Sequence, residues 1–326
     1  MTDLLKIGED FNDFTKAVNH GLVLYALRRR KNSHVVLTEK QIYGVYKNID
    51  SQYYRFTIPK KSGKERVIEA PTKNLKSIQR GINELLHNVF TPEDQAHGFA
   101  LGKSIHTNSD IHIENKWILN IDIKDFFPSV SKGRLITVLQ LNQINCSRFM
   151  ANKIAQFCTH RKQLPQGAPT SPTLTNIVSR RLDIRLKGLA NSYNFNYSRY
   201  ADDITFSGPS KSASKKILAI SELILELEGF ELNKAKTRLL PSSLRQEVTG
   251  LTVNVFRNTT RKYRRNIRAI LNNCNKTTIS EVAFQNGYDS SSKFISSLRG
   301  KINFLVHTSK TKEVLRLQEQ FLKLTK

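Results

Sequence analysis

The chain is poor in cysteine and in acid. Its three cysteines, Cys146, Cys158 and Cys274, are odd in number and widely spaced. Without a Cys-x-x-Cys pair they support neither a zinc site nor a disulfide framework, and reduced, inert thiols are expected. Asp and Glu number 27 against 52 Lys and Arg, a formal net charge of +25. Such a surface repels itself unless a polyanion neutralises it, so nucleic acid is the expected partner. No apolar run approaches the ~20 residues that span a bilayer. The start, Met1 to Asp10, lacks both a basic leader and a long apolar stretch. These absences predict a soluble, cytoplasmic protein with no membrane contact. Internal repeats and low-complexity tracts are also missing, while 326 residues, 39% of them hydrophobic, suffice for a sizeable core and two or three subdomains.

What is present begins at Tyr200-Ala201-Asp202-Asp203. Two adjacent carboxylates stand between the apolar-alternating runs Phe195 to Ser198 and Ile204 to Phe206, which reads as a β-hairpin tip. Crowded carboxylates repel, and a divalent metal relieves that repulsion. A second acidic strand lies upstream, where Lys116 to Ile123 runs apolar on both faces, carries Asp122, and leads to a turn closed by Pro128. Asp122 beside Asp202 would form a pair able to bridge two Mg²⁺ ions about 3.5–4 Å apart for in-line attack on phosphate. An isolated Asp-Asp pair is usually turn chemistry; the second carboxylate strand is what changes the reading.

Between the two strands lies Leu164-Pro165-Gln166-Gly167-Ala168-Pro169-Thr170-Ser171-Pro172, ahead of a helical segment, Thr173 to Leu189. The aspartate strand with its downstream aromatic, the Pro-Gln-Gly loop and the Tyr-Ala-Asp-Asp hairpin, in that order, resemble the reverse transcriptase family. The resemblance implies an α+β fold of right-hand polymerase architecture: fingers, a palm of mixed or antiparallel sheet plus helices, and a small helical thumb. It implies Asp122, Asp202 and Asp203 as catalytic residues, the same three with Ile123 as the metal-binding positions, and two Mg²⁺, with Mn²⁺ as a substitute. Phe127 takes the place of the aromatic gate against ribonucleotides, and Gln166 that of a nucleotide contact.

The remaining segments fit that frame. Residues 1–50 read as a mostly helical extension, 51–256 as the fingers and palm, and 257–326 as the thumb. Tyr53 to Ile58 and Glu65 to Ala70 read as strands around a cationic Gly-containing turn; by resemblance this is the fingers hairpin, with Lys60 and Arg66 on the incoming triphosphate, a point charge and a bidentate fork. Leu75 to Phe90, Ser131 to Leu141, Arg148 to Cys158 and Lys211 to Glu228 read as helices, the last stopped by Gly229. Phe230 to Thr237 resembles the next motif, in which either Lys234 or Lys236 would lie near the phosphates. Val248 to Asn254 alternates apolar and polar residues, as a half-buried hairpin strand does, and resembles the family segment that supports the primer end. On a helix over Arg261 to Cys274, Arg261, Arg264, Arg265 and Arg268 share one face and Tyr263, Ile267, Ile270, Leu271 and Cys274 the other, predicting one face packed and one on RNA phosphate.

Two short markers point to the bacterial retron branch over roughly residues 50–256. Val248-Thr249-Gly250 matches its Val-Thr-Gly signature, and Asn108-Ser109-Asp110-Ile111-His112 its Asn-Ala-x-x-His segment, with Ser109 in place of alanine. Asn108, His112 and Val248 to Gly250 are therefore expected to hold RNA. That resemblance implies a structured noncoding RNA as partner, dNTPs as substrates, synthesis of single-stranded DNA (msDNA) primed from an RNA 2′-hydroxyl, an RNA–DNA hybrid product, and an antiviral defence role with an effector protein. Group II intron, diversity-generating and abortive-infection reverse transcriptases are the alternatives within the class, and a non-catalytic RNA-binding scaffold the alternative outside it.

Overall fold

The computed structural model describes residues 3–59, 63, 65–141 and 143–325. Three helices open the chain: α1 (Asp3–Ile7), α2 (Phe11–Arg28) and α3 (Glu39–Lys47). Each of the latter two starts where a side chain satisfies a free backbone N–H, Asp10 for α2 and the reciprocal Thr38/Gln41 box for α3. They were expected as an extension, yet they share the main core. Phe14 of α2 stacks on Phe157 at 5.1 Å, and Val18 and Leu22 are buried in the same cluster as the palm residues Ile121 and Phe206. A Cβ on Gly21 would lie 2.0 Å from the Gly81 carbonyl oxygen, so α2 crosses the later helix α4 at a glycine-on-glycine contact that no larger residue permits. Residue 50 is thus no packing boundary.

The chain continues with the hairpin β1 (Tyr53–Pro59) and β2 (Glu65–Pro71), α4 (Lys73–Val89) and the short α5 (Ile105–Asp110). Then follow β3 (Trp117–Lys124), α6 (Lys132–Gln140), α7 (Arg148–Cys158) and α8 (Ser171–Ser192). β4 (Asn196–Tyr200), β5 (Asp203–Gly208), α9 (Lys211–Leu227), β6 (Glu231–Leu232) and β7 (Arg238–Pro241) complete the central sheet region. β3 is central: β5 pairs on one side, with β4 beyond it, and β6 and β7 pair on the other, all antiparallel. Ile118, Leu119, Ile121 and Ile123 of β3 are all buried, as a strand covered on both faces requires. The class is α+β, with helices packed on an antiparallel sheet in the right-hand polymerase arrangement.

One expected strand is a turn. Residues 248–254 do not run straight: β8 (Glu247–Val248) and β9 (Leu251–Thr252) pair across Thr249-Gly250. Both turn residues have positive φ, +47° and +82°, the backbone sense of a tight two-residue hairpin. Val248 and Leu251, three residues apart, would face opposite sides of one straight strand; paired across the turn they share a face with Val253, and all three are buried.

α10 (Arg261–Cys274), α11 (Ile279–Gln285), α12 (Ser291–Thr308) and α13 (Lys312–Leu324) form a second core of their own around Ile267, Leu271, Leu298 and Phe321. This bundle is tied to α5. Arg257 pairs with Asp110 at 2.5 Å and donates to the Thr308 carbonyl at 3.0 Å, while His106 reaches the Thr308 hydroxyl at 3.1 Å. All three cysteines are buried and unpaired. Burial pushes the Cys146 and Cys158 thiols up to about 12, which makes them inert as nucleophiles. Among the described residues no helix is long and apolar enough to cross a membrane.

Candidate active site

Antiparallel pairing of β3 with β5 sets Asp122 directly opposite Asp203. The hairpin β4–β5 closes on the pair Tyr200–Asp203, leaving Ala201 and Asp202 as a two-residue loop. Ala201 has φ +57°, a left-handed conformation that costs an L-residue about 1–2 kcal/mol. The loop is held against β3 by the Ile123 N–H donating to the Asp202 carbonyl at 3.0 Å. Two strands and one turn thus bring the three predicted carboxylates together.

Their surroundings are electrically unbalanced. Asp122, 5% exposed, accepts from Asn233 Nδ2 at 2.8 Å and from Lys236 Nζ at 2.7 Å on its two oxygens. Among the described residues no side-chain cation pairs with Asp202 or Asp203. Partial burial and the Asp122 charge push Asp202 above the usual carboxylate range. Partial burial, then Asp202 and Asp122, push Asp203 up to about 6. Lys236 opposes both shifts, and Arg66 acts on Asp202. Three hard oxygen donors that raise one another's proton affinity suit a small divalent cation, although among the described residues no three His, Cys, Asp or Glu side chains already stand at ligating spacing. A cavity of about 230 Å³ beside them runs along the sheet from Asp122 and Asp203 past Arg238 to Thr249 and Gly250.

Other predicted residues fall near or away from this point. Lys236 touches Asp122, whereas Lys234 is exposed and pairs with Glu222 at 2.7 Å, which separates two lysines that sequence left equivalent. Gln166 joins the fingers hairpin to the palm, its carbonyl accepting from the Glu69 N–H at 2.9 Å. Gly167, at φ +136°, has no room for a side chain: a Cβ would lie 3.0 Å from the Glu69 carbonyl oxygen. Phe127 is half-buried against Phe99 and Phe126, ring centroids 6.2 and 5.7 Å away. Lys60 lies outside the described residues.

The expected RNA contacts need correction. Asn108 and His112 are 1% and 0% exposed, so neither side chain can meet RNA directly. His112 instead bridges the β4–β5 hairpin from behind, with Nε2 at 2.8 Å from Ser198 Oγ of β4 and Nδ1 at 2.7 Å from Ser207 Oγ of β5. Val248 is also buried, and the Thr249 hydroxyl donates to the Ile105 carbonyl at 3.3 Å. The two markers therefore pack on each other at the junction of palm and thumb. On α10, four arginines with no acidic residue in the same helix would repel one another. Glu313 of α13 supplies the partner, pairing with Arg264 at 3.0 Å and also with Arg268. Arg261 and Arg265 stay exposed.

Sequence reasoning missed Asn233, Gly98 and the buried group around Arg199. Asn233 also donates its backbone N–H to the Asp122 carbonyl at 2.8 Å; its place at the end of β6, beside the lysines already singled out, was the available signal.

A family model described as reverse transcriptase (RNA-dependent DNA polymerase) matches residues 58–284. The chain is 38% identical over 237 residues to the Retron Mx65 reverse transcriptase of Myxococcus xanthus, covering 67% of this chain and 55% of that protein. It is 32% identical over 207 residues to the Retron Ec86 reverse transcriptase of Escherichia coli, covering 63% and 64%. The chain thus spans little more than half the length of the first of these relatives. Among solved structures, a telomerase from Candida albicans in complex with a fragment of telomeric RNA is similar at a TM-score of 0.48 and 13% identity, over 83% of this chain and 63% of that one. With the family's matched region holding all three carboxylates, on two adjacent strands and the loop between β4 and β5, the chain belongs to the reverse transcriptase (RNA-dependent DNA polymerase) family.

Proposed function

We propose that this protein is an RNA-directed DNA polymerase of the retron kind, copying part of a structured noncoding RNA into single-stranded DNA. The observation that carries the reading is the meeting of Asp122, Asp202 and Asp203 at one end of β3 and β5, with Lys236 and Arg66 acting on them. Asp122, Asp202 and Asp203, with Ile123 beside them, would hold the divalent cations, Mg²⁺ or in its place Mn²⁺. Two such ions, when bound, stabilise both the attacking and the leaving oxygen of phosphoryl transfer. The protein's own groups do the rest. Arg66 and Lys236 receive the triphosphate of the incoming dNTP, and Lys236 exchanges the Asp122 carboxylate for a phosphate oxygen as it does so. The Gln166-Gly167 backbone fixes the floor beneath the fingers hairpin, and Phe127 bars a ribose 2′-hydroxyl. The groove toward Thr249 and Gly250 takes the primer end.

The retron relatives and the two packed markers support the finer reading: priming from a 2′-hydroxyl of the cognate RNA, an RNA–DNA product, and service with an effector protein in antiviral defence. Because Asn108 and His112 are buried, the markers act by shaping the palm–thumb junction, while exposed arginines of α10 meet the RNA backbone. The test is to purify the protein with its bound nucleic acid and sequence it after nuclease treatment. A branched RNA–DNA species is expected. Unbranched nucleic acid, with RNA copying intact, would leave the polymerase and remove the retron assignment.

A further inference from the structure

Asp202 occupies a loop that does not hold itself in place. Its neighbour Ala201 sits at φ +57°, and a residue in that region persists only where its surroundings dictate it. The surroundings are a buried set of groups behind the carboxylates. Arg199, the last but one residue of β4, is 0% exposed. Its Nε and Nη2 donate to the two oxygens of Asp183 at 2.7 and 2.6 Å, Nη2 also reaches Asn176 Oδ1 at 3.1 Å, and Nη1 donates to the Ala201 carbonyl at 3.1 Å. Tyr197 adds a hydroxyl to Asp183 at 2.8 Å. The guanidinium lies 5.8 Å from the centre of the Phe126 ring, in the turn that follows the Asp122 strand.

From the other side, residues 95–98 lie along β4. Arg199 N–H donates to the Gln95 carbonyl and His97 N–H to the Arg199 carbonyl, both at 2.8 Å. A Cβ on Gly98 would stand 2.2 Å from the Ala201 nitrogen. Asn176 closes the circuit, donating to the Gly98 carbonyl at 2.9 Å. Asn176 and Asp183 both belong to α8, the helix that begins at the Pro-Gln-Gly loop. The loop backbone is therefore held on the β3 side by the Ile123 N–H and is referred to α8 by the Arg199 side chain directly and by Asn176 through Gly98.

We propose that Arg199 is a positioning residue that sets the direction of the Asp202 carboxylate by fixing the Ala201 carbonyl to α8. A buried ion pair is seldom a net source of stability over a well-packed apolar pair, whereas the directional fork of Arg gives a fixed geometry that Lys cannot reproduce. Here three different acceptors on two elements use that fork. The inference rests on the polymerase reading for its consequence, but its structural content does not.

Two measurements separate the levels. Amide hydrogen exchange over residues 199–206, in the protein without nucleic acid or added metal, reads the hairpin itself. Single-nucleotide extension on an RNA template, titrated with Mg²⁺, reads the consequence. Arg199→Lys keeps a cation beside Asp183 and loses the fork. It should speed exchange in this segment, lower kcat by about 10- to 100-fold as misplacement of a reacting group does, and raise the half-saturating Mg²⁺ with little change in the KM for dNTP. Gly98→Ala presses on Ala201 without touching any charge and should act in the same direction. Tyr197→Phe, which leaves the Ala201 bond intact, should match wild type. Wild-type exchange and an unchanged Mg²⁺ curve in folded Arg199→Lys or folded Gly98→Ala overturn the proposal. A wild-type protein that copies no RNA would instead defeat the polymerase reading, and the exchange comparison would still decide the role of Arg199.

Discussion

Two acidic groups serve the same hairpin in opposite conditions. Behind it, Asp183 is 1% exposed and fully matched, with Arg199 forked onto both oxygens and Tyr197 on one of them. In front, Asp202 and Asp203 face Asp122, Lys236 offsets the crowding only in part, and their proton affinity rises. A matched charge spends its interactions within the fold. An unmatched cluster is retained only if something outside the fold completes it, which is why perturbed carboxylates mark functional sites. The same contrast recurs in the thumb, where Glu313 matches Arg264 and Arg268, while Arg261 and Arg265 are exposed with no acidic partner among the described residues.

The largest effect expected is on the unmatched side. Asp203→Asn should lower kcat for nucleotide addition by about 10²–10³-fold, the scale of losing a main electrostatic element of a transition state. Its thermal midpoint should hold or rise, because a like charge leaves the cluster. Activity assays beside calorimetry check both halves, and a large fall in the midpoint would erase the contrast.

On the matched side the loss should be of stability. Asp183→Ala strands the Arg199 guanidinium in the interior, at a cost of about 3–5 kcal/mol, measured by urea unfolding. A cost below about 1 kcal/mol would mean that water or a shifted side chain replaces Asp183, and that the pair is not the anchor it looks like in the fold.

His112 offers a pH version of the same test. Burial pushes it down to about 3, and burial with nearby Lys103 pushes His97 down to about 4, whereas both titrate near ~6.5 once unfolded. Below that value the unfolded chain takes up protons that the folded one refuses, so stability is full above about pH 6.5 and falls as the pH drops toward 4 and 3. Each group contributes a slope of up to ~1.4 kcal/mol per pH unit in that window. Replacing His112 by Gln should remove one such slope between pH 6 and 4. Parallel stability curves for the two proteins would show that His112 is protonated in the fold.

The smallest effect concerns the thumb. Neutralising Arg261 or Arg265 should each lower the magnitude of the log-affinity against log-salt slope for RNA by up to about one unit. Arg264→Gln should change that slope less and reduce thumb stability instead. Equal slopes for all three would show that the Glu313 pair opens on binding.

Local signals made much of this legible in the chain. α7 and α10 begin and end at the expected residues, because caps and apolar periodicity are written within a dozen residues. The carboxylate strands were readable for the same reason, each being a short apolar run with an acid at or near one end. What failed depended on partners far along the chain. Glu313 lies 49 residues from Arg264, so no helix periodicity could match them. The hydrogen-bond partners of His112 are Ser198 and Ser207, 86 and 95 residues away, and nothing in the local sequence names them. Arg199 stood beside the most conspicuous motif of the chain, yet its role emerges only when α8 supplies Asp183 and Asn176.

The central claim is that Asp122, Asp202 and Asp203 form one cation-dependent centre for copying RNA into DNA. Extension of a DNA primer on an RNA template by one dNTP, followed against Mg²⁺ concentration for wild type and Asp202→Asn, tests it most directly. The account predicts a saturable Mg²⁺ requirement in the wild type, abolition by chelation, and loss of addition at every Mg²⁺ concentration in a folded Asp202→Asn protein. Addition that survives chelation, or that proceeds at the wild-type rate in Asp202→Asn, would contradict it.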